Sequence, residues 1–144
     1  MPLSIGREAA ISFCINGTLS LLFFIALFGL APRLLNWGNP DGLAWDFVPQ
    51  SIAVALMSAL VPVLVARAKL MGMGRTGLPP KMKILAQALA FAGAGGALGV
   101  LLAIASERAG LPPMGWASAL ALKLVYGGSL GAFITNLALR RMVR

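Results

Sequence analysis

The sequence predicts an all-α integral membrane protein with four transmembrane helices in two antiparallel hairpins, its N- and C-termini cytoplasmic. Three observations carry that expectation. Of 144 residues, 59% are hydrophobic and 11% charged, with a mean hydropathy of +0.88, and a soluble fold of this size has no way to cover so much apolar surface. Four apolar runs, 9–31, 47–66, 84–105 and 116–139, each reach the roughly 20 residues that a spanning helix needs. Basic residues gather at alternate ends of those runs. The chain therefore reads as one polytopic membrane domain over 1–144, and lipid, which offers no partner to unpaired backbone groups, requires the runs to be helices. The short alternating segments of a transmembrane barrel are absent.

The first run, 9–31, also has the outline of a secretory signal peptide, with Arg7 as basic flank. It is too long for one, Glu8 sits in the flank, and Pro32 follows Ala31 where processing would occur, so retention as an uncleaved first helix is expected. Between it and the second run, Asn36, Gly38, Asn39, Pro40, Asp41 and Gly42 mark turns, and Leu34, Leu35 and Trp37 read as a short interfacial segment. The second run contains Pro62, which removes a backbone donor and is expected to bend the helix and free the Ser58 carbonyl. After it, Met71-Gly72-Met73-Gly74 and then Pro79-Pro80 read as flexible and then extended chain joining the two hairpins loosely. The fourth run holds Lys123, and since 124–139 alone is marginal, the helix is expected to start upstream of the lysine.

Orientation follows from charge. Arg67, Lys69, Arg75, Lys81 and Lys83 lie between the second and third runs, and Arg140, Arg141 and Arg144 end the chain. These positions and Arg7 belong inside by the positive-inside rule. The opposite loops hold Arg33 and Arg108 beside Asp41, Asp46 and Glu107, and they also carry Trp37, Trp45 and Trp116, whose indoles favour the headgroup level. The net charge of +8 is thus distributed as helix flanks and is not interleaved with aromatics, which argues against nucleic-acid binding. A cell-membrane location is expected, the inner membrane in a Gram-negative bacterium, with anionic headgroups as a possible contact of the central cations.

Helix faces name the candidate positions. In the third run Ala88, Ala92, Gly95, Gly99, Ala103 and Ser106 recur every three or four residues. In the fourth, Gly127 and Gly131 form a small-xxx-small pair with Lys123 on the same face, so the third and fourth helices are expected to pack tightly. Ser12, Asn16 and Ser20 line one face of the first helix, and Ser51, Ala55, Ser58 and Pro62 one face of the second; both faces should look inward. Trp45 and Trp116, each followed thirteen residues later by Ser58 or Ser129, outline a parallel repeat of the hairpins, although membrane physics alone gives any two hairpins similar flanks.

Lys123 lies about 10 Å along its helix from Trp116. Its ammonium either snorkels to the outer headgroups or faces the bundle, held by polar groups such as Asn16 or Tyr126 and serving an anion or a partner's carboxylate. Asn136, close to the basic end, reads as an anchor.

Several chemistries are argued against by composition. The chain has no His and a lone Cys14, which together make neither a metal site nor an internal disulfide, and no cofactor is expected. No Asp or Glu lies inside a run, which weakens a proton-coupled carrier. Asp46, Glu107 and Arg108 are too sparse a constellation for catalysis, so an enzyme is not expected. In size and helix number the chain is similar to the small multidrug-resistance transporters, but their first-span glutamate has no counterpart in 9–31. The run Gly95-Gly96-Ala97-Leu98-Gly99, followed by Gly127-Gly128-Ser129, superficially resembles small fluoride channels, yet the arginine soon after the first glycine run and the asparagine just before the second are missing. Neither likeness assigns a family.

Two functions are left standing. One is an accessory or assembly component of a larger membrane complex, docking by its helix-packing residues Gly95, Gly99, Gly127 and Gly131 onto a membrane-protein partner or a second copy. The other is a small channel or carrier for a small solute or anion, its pathway running past Asn16, Ser20, Ser58, Lys123 and Tyr126.

Overall fold

A computed structural model describes residues 4–144. It is all-helical apart from one two-residue ribbon: α1 (Ile5–Phe28), β1 (Leu34–Leu35), α2 (Phe47–Gly72), α3 (Lys81–Arg108), β2 (Met114–Gly115) and α4 (Trp116–Val143). All four helices are long and apolar enough to cross a membrane, which supports a multi-pass membrane protein.

The helices exceed or shift the apolar runs for local reasons. α1 starts earlier because Ser4 caps it, accepting from the Arg7 backbone N–H. It stops at Phe28 and not at Ala31 because Gly29 takes φ 75° and sends its own N–H back to the Ile25 carbonyl. α2 continues through Pro62 to Gly72. The flexible segment expected from Met71 therefore begins only at Met73, and α3 starts directly after Pro80. That linker is not a loose joint, since the Arg67 guanidinium donates to the Pro79 carbonyl at 2.8 Å.

Helix pairing departs from the sequence expectation. α3 lies along α2, α4 lies along α1 and also touches α2, and α1 and α2 meet sparsely. The expected tight α3–α4 seam does not form. Gly95 and Gly99 do bring a backbone close, but it is that of α2: an added Cβ at Gly99 would lie 2.6 Å from the Phe47 carbonyl oxygen and 2.8 Å from the Val48 Cα. A stripe of small residues specifies that some helix approaches, not which one.

Two apolar clusters hold the ends. Near the termini, Val63, Leu70, Ile84, Ile134 and Met142 join α2, α3 and α4. At the other end Phe24, Phe28, Leu35, Leu43, Phe47 and Ala119 join α1, the long loop, α2 and α4. There the expected interfacial segment is instead a strand, with Leu34 opposite Gly115 and Leu35 opposite Met114 in an antiparallel ladder. The three indoles brace the same end. Trp37 donates to the Pro112 carbonyl, Trp45 to the Glu107 carboxylate and Trp116 to the Gly29 carbonyl. The outlined repeat does not extend to the serines: Ser58 is buried and Ser129 is exposed.

Candidate functional site

The polar seam begins with α1. Ser12, Asn16 and Ser20 are spaced four apart and all buried, facing the α4 positions Gly127 and Gly131. These glycines make room for side chains. A Cβ at Gly131 would collide with the Asn16 amide, and one at Gly127 with the Ser20 hydroxyl. The absence of side chains on α4 therefore lets polar groups of α1 reach across to α2.

Asn16 uses that room. Its Nδ2 donates to the Ser12 carbonyl at 2.8 Å, approaches the Ser12 hydroxyl at 3.0 Å, and donates to the Ser58 hydroxyl of α2 at 2.9 Å. Thr135 of α4 closes the group, its Oγ1 lying 2.8 Å from Ser12 Oγ and 3.0 Å from the Ser58 carbonyl oxygen. A hydroxyl has one proton, and of these two partners only Ser12 can donate in return, so the carbonyl is the acceptor. That carbonyl is the one Pro62 deprives of its helical donor. Thr135 thus satisfies in tertiary structure what Pro62 removes from the helix.

One turn further, Gln50 of α2 donates through Nε2 to the Ser20 hydroxyl at 2.9 Å and to the Lys123 backbone carbonyl at 3.0 Å. The Lys123 side chain is 1% exposed. Its ammonium lies 3.2 Å from the Asp46 carboxylate, 3.3 Å from the Leu43 carbonyl oxygen and 3.4 Å from the centre of the Phe47 ring. Three protons meet three electron-rich partners, an arrangement in which a buried ammonium is tolerated. Lys123 therefore faces the bundle, and its partners are not the Asn16 or Tyr126 expected. Tyr126 instead shares a hydrogen bond with Ser51 and packs edge-on against Phe47.

No protein-family model, curated protein or solved structure matches this chain. The site must be read from its own geometry.

The structure thus joins Asn16 directly to Ser58, and links Ser20 to Lys123 through Gln50. Asn136 lies apart, accepting from Arg140 at 2.6 Å. Three participants escaped the sequence reading. Thr135 continues the four-residue spacing of Lys123, Gly127 and Gly131, and Gln50 lies two turns before Ser58, so both were signalled by position. Asp46 sits at the loop boundary, and nothing in its spacing points to Lys123. Glu107 is engaged by Trp45, so the acidic groups of that end serve different partners. Beyond the helices, Asp41 accepts from the Asn36 backbone N–H at 2.8 Å and from Arg33 at 2.6 Å, which hold its carboxyl below its ordinary value, the backbone donor most strongly. Among the described residues no group of His, Cys, Asp and Glu gathers as metal ligands would.

Among the described residues two buried side-chain acceptors stay unmatched, Asn16 Oδ1 and Gln50 Oε1. Both residues line clefts where α1 and α2 part, one of about 250 Å³ beside Asn16 and one of about 180 Å³ beside Gln50.

Proposed function

We propose that this protein is a non-catalytic accessory or assembly component of a larger membrane complex, seated in the cell membrane with both termini and the α2–α3 linker in the cytoplasm. Charge supports the orientation: Arg7, Arg67, Lys69, Arg75, Lys81, Lys83, Arg140, Arg141 and Arg144 serve one end, and Arg33 and Arg108 the other. In a Gram-negative bacterium that membrane is the inner one. Its partners are lipid and another membrane protein or a second copy of itself, with no role for nucleic acid.

The observation that carries the docking role is α3. It packs on α2 alone to any extent, and beyond its buried stripe it presents a second one outward: Ala86, Ala90, Gly93 and Ala97 are exposed. A Cβ at Gly93 would meet nothing within 4 Å. Helices in lipid associate by such close approach. The expected docking glycines Gly95, Gly99, Gly127 and Gly131 are already occupied by neighbouring helices, so the outward stripe is the better candidate. The alternative, a small channel or carrier, draws support from the clefts beside Asn16 and Lys123. Against it, Lys123 is neutralised by Asp46, and the hydroxyls of a pathway are engaged within the bundle, Ser58 by Asn16, Ser20 by Gln50 and Tyr126 by Ser51.

Affinity purification in mild detergent followed by mass spectrometry tests the proposal. A specific membrane partner, or a second copy, should co-purify and be lost in Gly93→Leu, whose added bulk projects into open space and leaves the fold intact. Solute flux or current from the purified protein alone in liposomes would sink it.

A further inference from the structure

We infer that the cleft between α1 and α2 binds a neutral, hydroxyl-headed apolar molecule that enters from the bilayer and donates its proton to Asn16 Oδ1. The first observation is the orphaned oxygen itself. Asn16 is 3% exposed, and its Oδ1 has no donor. The amide is fixed in that sense, because its nitrogen faces the Ser12 carbonyl, which accepts only; turning the amide over would set two acceptors against each other. A buried polar group without a partner is costly, and more so at membrane depth, so the site calls for a donor.

The second observation is the shape of the cleft. α1 and α2 meet sparsely, and between them a space of about 250 Å³ runs from Glu8 to Leu19 on α1, about 16 Å along the axis. Apart from Ser12, Asn16 and Ser58 together and Glu8 at one end, its walls are apolar, and Ile11, Ile15, Met57, Val61 and Val65 on its rim are each more than 40% exposed. Such a rim opens towards lipid tails, so an apolar chain has lateral access and continuous contact.

The third is the charge balance around the acceptor. The side chains bonded to Asn16, Ser12 and Ser58, are neutral, and so is Thr135, which bonds to both of these residues. Glu8 lines the far end of the cleft beside Lys69, about 12 Å away along α1. An ammonium at Asn16 would be buried without a counter-charge, which a single amide oxygen does not offset. A hydroxyl carries the needed proton without that penalty. The site needs no protein partner and does not rest on the accessory role.

The test uses purified full-length protein in lipid nanodiscs and a long-chain alcohol bearing a photoreactive diazirine. Labelling should map to 11–19 and 57–65 and be competed by unlabelled decanol about fivefold or more better than by decyl methyl ether, the gain of one hydrogen bond. Val61→Trp, which fills the rim without touching the polar seam, should abolish labelling while leaving thermal stability unchanged. Equal competition by alcohol and ether, labelling confined to other helices, or stronger competition by decylamine would each overturn the assignment.

Discussion

The α2–α3 seam and the α1–α4 seam both rest on glycine, and they use it differently. Between α2 and α3, Gly95 and Gly99 let backbone meet backbone, with the Ser51 and Phe47 carbonyl oxygens where a Cβ would stand. Between α1 and α4, Gly127 and Gly131 let polar side chains pass, and Ser20 and Asn16 occupy the space before bonding to Gln50 and Ser58 of α2. One seam gains from dispersion between close surfaces, the other from hydrogen bonds that cross three helices. Lipid tails being as apolar as leucine, these are the two means by which helices hold together in a bilayer. They should fail differently when perturbed.

The largest difference is expected at the charge that closes the polar seam. Asp46→Ala leaves Lys123 buried without its counter-ion and should cost about 3–5 kcal/mol, whereas Asp46→Ala combined with Lys123→Met should recover most of that loss. A double-mutant cycle by denaturant unfolding in detergent reads the coupling; strictly additive losses would show that the pair does not act as a unit. Next comes the backbone seam. Gly99→Ala drives a methyl group into the α2 backbone, which has no rotamer by which to yield, and should cost about 1–3 kcal/mol. At Gly127 the obstructing atoms are ends of side chains, and the same substitution should instead release Ser20 from Gln50, visible as faster amide exchange along α1.

A smaller effect is expected at Thr135→Val, which preserves shape and strands the Ser58 carbonyl: roughly 0.5–1.5 kcal/mol, the range of single interhelical hydrogen bonds in lipid. A loss as large as that at Gly99 would erase the distinction between the seams. The smallest lies outside both, in the loop. Because the Asp41 carboxyl is held below its ordinary value, its contribution is complete above the unfolded value of about 4 and is lost as pH falls through the lowered one. Protection of the Asn36 amide against exchange should decline only under such acid conditions, and Asp41→Asn should remove the pH dependence.

Much of this was legible in spacing. The four-residue recurrence of Ser12, Asn16 and Ser20 identified an inward face that is buried as expected, and the recurrence of Ala88, Ala92, Gly95 and Gly99 every three or four residues identified a face that another backbone approaches. Pro62 announced a free Ser58 carbonyl, and Thr135 takes it. The partners were not legible. Asp46 meets Lys123 from a loop end separated by 77 residues of chain, and no periodicity relates them. Tyr126, on paper a neighbour of Lys123, turns to Ser51 because its position on the helix directs it to α2.

The sequence by itself determined the number of helices, the apolar stretch at the centre of each, and which side of each is small or polar, since these follow from local composition and the 3.6-residue period. Only the tertiary structure decided that α3 joins α2 and α4 joins α1, that Lys123 is held by Asp46, and that the amide oxygens of Asn16 and Gln50 are buried without a donor in residues that line the clefts between α1 and α2. Those outcomes depend on which surfaces meet, and a helix face records that it fits a neighbour without recording the neighbour's identity.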